Sequence, residues 1–343
     1  MISIAQEIKQ KALELGYEKC GIISVEKLVG YKEKLEERIQ KIPESGGFYQ
    51  GQQRLVKFQE EFPWAKSVVV LAVPYCGYHI PKVVRGHIAK KYLLDTRIDE
   101  NTKEYQNSTA LEKYMNELGV RTATNRKFGV VGLRWAAMQA GLGLVRRNNF
   151  FYTESGSYVN IEAFLTDRDM ELIDTAKLPP CPQNCDRCIK ACPTASLCEA
   201  YTMNPLKCVS FLTTFGGRDL TKEPLAAKFG DWIYGCDVCQ DVCPMNHQKW
   251  IGNEEFPGLA DLSDTLTVEH ILRMDEQYYK ERIQPKFFYL APDELWKWQI
   301  NALNYIDNVY EDKYRTLVLE ACSSAYPKVR DMANTISQKH GLL

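Results

Sequence analysis

The sequence predicts an α+β protein in three parts, and three observations support this. Segments with strand and helix patterns alternate over the first half of the chain, which fits an α/β or α+β layer structure. A short cysteine-rich stretch follows, and the last part shows helical periodicity. We expect the parts to be residues 1–175, 176–250 and 251–343, because a chain of 343 residues is long enough for two or three domains.

The first half contains the elements that predict the layer structure. Ile4, Ile8 and Ala12 recur at helical spacing, and Gly16 suits the end of that helix. Residues 67–73 form a β-branched apolar run that predicts a strand. The remaining predictions here are helices at 105–118 and 130–139, strands at 20–24 and 158–166, and a loop or irregular segment at 40–62.

Eight of the twelve cysteines lie between Cys181 and Cys243, in two runs of short spacing that each end in Cys-Pro. A cube of iron and sulfide needs four thiolates from different directions, and in two-cluster ferredoxins the Cys-Pro cysteine ligates the other cluster. We therefore expect two [4Fe-4S] clusters. The first cysteine set is Cys181, Cys185, Cys188 and Cys243, and the second cysteine set is Cys192, Cys208, Cys236 and Cys239.

Structural zinc is the alternative for this stretch, since paired Cys-x-x-Cys turns also build four-cysteine zinc sites. The Cys-Pro endings and the even division into two crossed sets favour iron and sulfide. One irregularity is that three residues separate Cys181 from Cys185, where the bacterial run has two. This spacing predicts a wider turn or a more labile cluster. The other thiols are expected to be buried small apolar residues: Cys20, Cys76, Cys198 and Cys322.

Charge and hydropathy restrict the location and the partners. The formal net charge is -1, and the chain has neither an apolar run near twenty residues nor a signal peptide pattern. We therefore expect a cytoplasmic protein without a membrane partner. Between Lys82 and Arg147, thirteen Lys and Arg residues stand against six Asp and Glu residues. Several of these cations flank a glycine-rich turn, which predicts either a site for a phosphate-bearing ligand or a solvated face.

The last part has three apolar stripes at helical spacing, which begin at Leu295, Tyr314 and Val329. Short antiparallel helices of this kind are typical of a HEAT-like repeat pair. An ordinary helical cap on the core is the alternative.

Three regions of the chain resemble the cobalamin-dependent epoxyqueuosine reductases of transfer-RNA modification, and reductive dehalogenases are related proteins with the same cofactor pairing. The similarity covers most of the chain, and the combination is more specific than the cysteines alone. The matching motifs are Lys207-Cys208-Val-Ser-Phe-Leu-Thr and Trp232-Ile-Tyr-Gly-Cys236 onward to Asn246, Ala140-Gly-Leu-Gly143 with Gly156-Ser157 and Phe164-Leu-Thr-Asp167, and Gln299-Ile-Asn301 with Val329-Arg-Asp331.

The resemblance implies a nitroreductase-like core that holds a base-off corrinoid, followed by a two-cluster ferredoxin-like module. Electrons from a low-potential donor such as ferredoxin or flavodoxin would pass through both clusters to cobalt, while the protein supplies orientation, electrostatics and a proton donor. The residues that it implies at the corrinoid are Ala140, Gly141, Gly143, Arg146, Arg147, Asn148 and Ser157.

Two features depart from that family. Its presumed proton donor is an acidic residue in an Asp-Ser-Ala-Pro motif, thirteen positions before its Ala-Gly-Leu-Gly, and the same count leads here to Lys127. A lysine can donate a proton if its pKa is lowered, or it can bind an anionic substrate or be a solvated surface residue. In addition, residues 251–343 carry ten Lys and Arg against fifteen Asp and Glu, whereas a surface that binds RNA is expected to be basic.

The predicted activity is therefore that of an iron–sulfur, cobalamin-dependent reductase, for which epoxyqueuosine in transfer RNA is the first candidate substrate. A small anionic or halogenated organic molecule is the second candidate, favoured by Lys127 and the acidic tail. An electron-transfer protein without a corrinoid and a protein that reduces the corrinoid of a partner are the remaining classes. An electron-transfer protein without a corrinoid would leave the large first half of the chain unexplained.

Overall fold

An antiparallel sheet forms the centre of the first half of the chain. In the computed structural model, which describes residues 2–216 and 219–342, this sheet has four strands in the order β1-β2-β6-β3. A separate hairpin consists of β4 and β5. The strands are β1 Lys19–Ser24, β2 Ser67–Pro74, β3 Thr122–Ala123, β4 Leu144–Val145, β5 Phe151–Tyr152 and β6 Val159–Thr166.

Helices cover the sheet and build the rest of the chain. Those of the first half are α1 Ile4–Glu14, α2 Tyr31–Lys41, α3 Gly46–Gln50, α4 Phe58–Glu61, α5 Lys90–Leu93, α6 Lys103–Glu117 and α7 Leu133–Gln139. Those of the cysteine-rich stretch are α8 Arg187–Ala191, α9 Val209–Leu212 and α10 Val238–Asp241. Those that follow are α11 Leu259–Ser263, α12 Val268–Arg273, α13 Glu276–Tyr278, α14 Leu295–Asn308, α15 Arg315–Ala321 and α16 Pro327–Lys339.

Strand β2 is apolar along its length because helices cover both of its faces. Val68 and Val70 pack in the same apolar cluster as Ala136 of α7. Val69 and Leu71 point to the opposite face and share a cluster with residues of α1 and α6. The two-residue period of the strand therefore distributes its side chains between two apolar layers, and the predicted α+β class is confirmed.

The prediction of a loop or irregular segment at 40–62 was wrong. That segment forms α3, α4 and two short 3₁₀ turns, and it is anchored by the buried side chains of Tyr49 and Phe58. Elements of three to five residues are too short to give a recognisable hydrophobic period. The helix predicted at 130–139 begins instead at Leu133, after Gly129, which has a φ of +73° that suits glycine.

The C-terminal helices pack against one another and against the first half of the chain. Contacts join α14 to α12 and α16, and α15 to α16. One apolar core combines residues 75–94 with residues 233–302, so the first and third predicted parts share an interior. The division into three parts stays a prediction. None of the helices in the described residues is both long and apolar enough to cross a membrane.

Candidate active site

The two cysteine sets surround two different cavities. One cavity is lined by the first cysteine set, Cys181, Cys185, Cys188 and Cys243. A second cavity, of about 250 Å³, is lined by the second cysteine set, Cys192, Cys208, Cys236 and Cys239. In the described part of the chain, no three His, Cys, Asp or Glu side chains stand close enough together to hold a single metal ion. The sequence division into crossed sets matches the division between the cavities, while the ligand roles themselves stay a prediction.

The thiols interact electrostatically within their own sets. Burial raises the pKa of Cys239, and the neighbouring Cys236, Cys208 and Cys192 raise it further. Burial also raises the pKa of Cys188, and Cys243 acts in the same direction. Four thiolates in a buried space repel one another, so each set requires cations between its members before all four can ionise.

A hairpin loop of residues 146–150 connects β4 to β5 and lies between the cavities. Its ends are closed by the hydrogen bond from Arg146 N to Phe150 O, at 3.0 Å. Asn149 has a φ of +65°, a left-handed conformation that asparagine tolerates in turns. Asn148 Nδ2 donates to the carbonyl oxygen of Cys239 at 3.1 Å, which fixes the loop against the second cysteine set.

Side chains of this hairpin loop occupy the walls of three cavities. Arg146, Arg147 and Asn148 line the cavity of the first cysteine set. Asn148, Asn149 and Phe150 line that of the second cysteine set. Asn149 and Phe150, together with Arg134, also line a much larger cavity beyond it. The three cavities are therefore neighbours that share their walls.

The residues around both cysteine sets fit anionic clusters. Nε and Nη1 of Arg146, which is 3% exposed, are buried without a hydrogen-bond partner among the described residues. Nε of Arg147 is in the same state, and so is Oγ1 of Thr194 in the cavity of the second cysteine set. Buried donors without acceptors are costly, and a cluster of sulfides and thiolates supplies both the acceptors and the negative charge.

The large cavity has a volume of about 700 Å³, which lies in the range typical of small-molecule and cofactor sites. Its walls come from α2, α5, α7 and β6, which are distant from one another in the sequence. The indole Nε1 of Trp135, in the wall from α7, is buried without a partner among the described residues. This donor fits a ligand that carries amide carbonyls, such as those of the side chains around a corrin ring.

The polar side of the large cavity contains Lys91, Arg97 and Asn160. Arg97 donates two hydrogen bonds to Asp95, from Nε to Oδ1 at 2.8 Å and from Nη2 to Oδ2 at 2.5 Å. Lys91 Nζ lies 3.6 Å from Asp95 Oδ1 and donates to Asn160 Oδ1. Burial lowers the pKa of Lys91 to about 7, and Asp95 opposes this shift only in part. Lys91 therefore loses its proton more easily than a solvated lysine does.

Of the residues that the resemblance implies at the corrinoid, Ser157 lines the large cavity. The others lie elsewhere: Arg146, Arg147 and Asn148 are at the cysteine sets, and Ala140 is fully buried. A Cβ on Gly141 would clash with the Asp174 carbonyl oxygen, and one on Gly143 with the Tyr152 carbonyl oxygen. These glycines thus permit close contacts within the chain, and their contact with a corrinoid stays a prediction.

Lys127 is not among the described residues that line the large cavity. Its Nζ lies 4.1 Å from the ring centre of Phe288, in a cation–π contact, and its carbonyl oxygen accepts a hydrogen bond from Arg97 at 2.8 Å. The catalytic role of Lys127 stays a prediction. Sequence reasoning did not single out Lys91, Arg97, Asn160 or Trp135. The excess of basic residues between Lys82 and Arg147 was the one signal that included the two cations.

Comparison with known proteins gives this geometry a context. Residues 181–246 match the family of 4Fe-4S double cluster binding domains. The chain is 31% identical over 173 residues to an epoxyqueuosine reductase of Prochlorococcus marinus, covering 50% of this chain and 54% of that protein. It is 29% identical over 304 residues to one of Gloeobacter violaceus, covering 82% of this chain and 89% of that protein. The match thus spans about half of the former relative and most of the latter.

Solved structures agree with the fold. A crystal structure of epoxyqueuosine reductase with an epoxyqueuosine-modified tRNA-Tyr stem loop has a TM-score of 0.77 at 23% identity, over 98% of this chain and 90% of that chain. A structure of the Bacillus subtilis enzyme, with its catalytic loop swung out of the active site, has a TM-score of 0.77 at 24% identity, over 97% of this chain and 89% of that chain.

Fold and cavities together define a double [4Fe-4S] cluster protein that is built on an α+β core. The resemblance predicted from the motifs is confirmed by the comparisons: the chain is similar in sequence to curated epoxyqueuosine reductases.

Proposed function

We propose that this chain is an iron–sulfur, corrinoid-dependent reductase that converts epoxyqueuosine in transfer RNA to queuosine. The observation that carries the proposal is the row of three cavities separated by the hairpin loop 146–150. The first cysteine set holds one cluster and the second cysteine set holds the other. Because neighbouring cavities share wall residues, electrons cross only a thin layer of protein on the way to the large cavity.

The large cavity holds the corrinoid in this proposal. Trp135 donates a hydrogen bond to it, and Ser157 forms part of the cavity wall. A bound corrinoid supplies a cobalt centre that can transfer electrons to an electrophilic carbon. Ser157 Oγ donates to Gln240 Oε1 at 2.8 Å, and Gln240 directly follows Cys239, so the cavity wall is fixed to the cluster domain by a buried hydrogen bond.

Reduction of epoxyqueuosine requires electrons, protons and a site that keeps water from reactive intermediates. Reduction of the epoxide takes up two electrons and two protons, breaks two carbon–oxygen bonds, forms a carbon–carbon double bond and releases water. The electrons come from a low-potential ferredoxin or flavodoxin. Leu133, Trp135 and Met138 of α7 give the large cavity an apolar wall, which would help to keep water from reactive intermediates.

The choice of substrate rests on the relatives. One structure of similar fold contains an epoxyqueuosine-modified tRNA stem loop, and the curated relatives carry the name epoxyqueuosine reductase. Transfer to this chain is a proposal, which also places the protein in the cytoplasm, where transfer RNA is modified.

A small anionic organic substrate is a second candidate, and the charge of the large cavity favours it. The cations at its wall outnumber the acids: among the described residues they are Lys34, Arg38, Lys41, Lys91, Arg97 and Arg134, against Glu37. Such a cavity attracts carboxylates and phosphates. The same cations also fit the phosphate of a corrinoid.

The test uses anaerobically purified protein that is loaded with iron, sulfide and cobalamin. We expect a spectral change when cobalamin binds, and turnover of an epoxyqueuosine-containing anticodon stem loop with a reduced ferredoxin or flavodoxin. Product is measured by mass spectrometry of the digested RNA. Bound cobalamin and intact clusters without RNA turnover would contradict the RNA proposal and favour the small anionic substrate. Absence of cobalamin binding would contradict both.

A further inference from the structure

The structure offers a different lysine from Lys127 as a source of protons, and this inference rests on the proposed function. Lys91 is in α5 and lines the large cavity, with 28% of its side chain exposed. Its Nζ donates a hydrogen bond to Asn160 Oδ1 on β6, the strand that forms part of the cavity wall. Asn160 Nδ2 in turn donates to Thr96 Oγ1 at 3.0 Å, so the amide that receives the lysine is itself held in place.

The charged groups around Lys91 allow it to change protonation. Asp95 is 2% exposed and forms its two short hydrogen bonds with Arg97, which partly neutralises it. Lys91 lies 3.6 Å from the same carboxylate and 5.6 Å from the ring centre of Tyr75, whose raised pKa keeps its hydroxyl neutral. The guanidinium of Arg97 acts on Lys91 electrostatically, and further guanidinium groups, of Arg38 and Arg134, lie in the walls of the same cavity.

These surroundings reduce the free energy needed to deprotonate Lys91. Burial is the main cause and lowers its pKa to about 7, while Asp95 raises the pKa and Arg97 lowers it. A ligand in the cavity covers part of the remaining exposed surface and removes water from the ammonium group. Proton transfer is most effective when the pKa of the donor lies near the working pH, and this condition is met by Lys91.

Lys127 has a different environment, although it occupies the position that counting along the sequence selects. Its Nζ is placed over Phe288, and it does not belong to the described lining of the large cavity. The two lysines therefore form a matched pair: one lies at the cavity, and the other lies outside its lining.

We propose that Lys91 is the catalytic proton donor of the large cavity, held in position by Asn160 and Asp95. Two electrons arrive from the reduced ferredoxin or flavodoxin through the clusters, and the first carbon–oxygen bond of the epoxide breaks. The Lys91 ammonium gives its proton to that oxygen, which becomes a hydroxyl group. The second carbon–oxygen bond then breaks, a second proton from solvent completes the water molecule, and a carbon–carbon double bond remains. Solvent returns the proton to the Lys91 amine.

The first test follows the titration of Lys91 in the protein without cobalamin or substrate. Lysines are dimethylated with ¹³C-formaldehyde, and the Lys91 signal is the NMR signal that Lys91→Arg removes. We expect its midpoint near pH 7, well below the pKa of about 10.4 of free lysine. A Lys91 midpoint near that of free lysine would overturn the proposal.

The second test compares turnover of the epoxyqueuosine stem loop by three variants with both clusters and cobalamin bound. Lys91→Met removes the donor and is expected to lower turnover by about 10²–10⁴-fold, the usual contribution of general acid catalysis. Lys91→Arg keeps the positive charge but cannot release a proton near neutral pH, so we expect a similar loss. Lys127→Met tests the other candidate donor, and we expect it to lower turnover much less than Lys91→Met does.

The outcomes separate the proposal from the function on which it rests. Full activity of Lys91→Arg would show that only the charge matters, and a loss confined to Lys127→Met would assign the proton to Lys127; either result overturns the proposal. In the wild type, turnover should fall as pH rises through the pKa of Lys91. Inactivity of the wild type on RNA would refute the proposed function, while the NMR titration would still decide whether Lys91 is a near-neutral acid.

Discussion

Replacement of Asp95 with asparagine tests the charged group that supports Lys91. The substitution removes one negative charge and nearly preserves the shape of the side chain. It leaves Arg97 and Lys91 close together without their shared anion. We expect a less stable protein and a further decrease in the pKa of Lys91, because Asp95 is the group that most strongly favours its ammonium form.

The distances give the scale of the loss of stability and of the decrease in the pKa of Lys91. Two unit charges 3.6 Å apart interact by about 4–5 kcal/mol at an effective dielectric constant of 20. This energy is an upper limit, since Arg97 shares the carboxylate and Lys91 is partly exposed. We therefore expect the pKa of Lys91 to decrease by about one to two units, at about 1.4 kcal/mol for each unit. Breaking a buried ion pair from one side costs about 3–5 kcal/mol, and partial exposure places Asp95→Asn at the lower end.

The dependence of stability on pH has a definite sign. Burial alone would raise the pKa of Asp95, but Lys91 and Arg97 outweigh it and hold this pKa far below its usual range. The stabilisation is therefore fully present above the unfolded pKa of about 3.9 and is lost as pH falls below it. The variant should show a smaller loss of stability in acid than the wild type.

The assay is the midpoint of urea unfolding of protein without cofactors, followed by circular dichroism, together with the NMR titration of Lys91. Midpoints are compared because large chains commonly unfold through intermediates. Asp99→Asn is the matched control: Asp99 is in the same segment and accepts hydrogen bonds from Asn101 N and Nδ2. An unchanged midpoint, or a Lys91 pKa that rises in Asp95→Asn, would refute the electrostatic reasoning.

Three further predictions concern the clusters and the backbone. Cys208→Ser should lower the iron content by about half and remove the cluster of the second cysteine set. Cys322→Ser is the control and should retain both clusters. Loss of the cluster of the first cysteine set in Cys208→Ser would contradict the crossed pairing. Arg147→Met should lower the reduction potential of the cluster in the first cysteine set, because the guanidinium favours the more negative reduced state. The potential is measured by EPR-monitored titration, and an unchanged value would show that the arginine only packs there. Gly141→Ala should prevent stable folding, since φ is +72° and the Cβ would clash with the Asp174 carbonyl oxygen. Gly16→Ala, at φ +89° with no described atom within 4 Å of its Cβ, should lower stability by only about 1 kcal/mol in thermal or urea unfolding. Similar stabilities of the two variants would contradict the packing argument.

The elements with strong local signals could be predicted from the sequence. The run at 67–73 is β-branched and apolar, and it forms β2 as expected. The helix at the N-terminus has a clear period and a Ser3 capping box, and it ends before Gly16. Segments such as 40–62 could not be predicted, because turns of three to five residues are stabilised by buried anchors that tertiary packing selects.

The site was predictable where spacing along the chain fixes the chemistry. The Cys-Pro endings led to the two cysteine sets, and the structure places each set around its own cavity. The large cavity has no such local signal, since α2, α5, α7 and β6 bring its residues together from distant positions. Counting back from Ala140 found Lys127, but a count along the chain does not show which way a side chain faces. Lys91 could be found only after folding had placed α5 beside β6.

In the proposed reaction, the large cavity receives electrons and protons through different wall residues. Arg134, Asn149 and Phe150 form the wall that it shares with the second cysteine set, while Lys91 and Asn160 belong to different elements. In the proposed reaction, electrons enter through the hairpin loop 146–150 and the proton is delivered from α5. Lys90 N of α5 donates to Asp237 Oδ2, beside Cys236, at 2.8 Å, so α5 is also fixed to the segment of the second cysteine set. The hydrogen bond between Ser157 and Gln240 fixes β6, through its adjoining turn, to the cluster domain, and it thereby holds the two supplies in a constant relation.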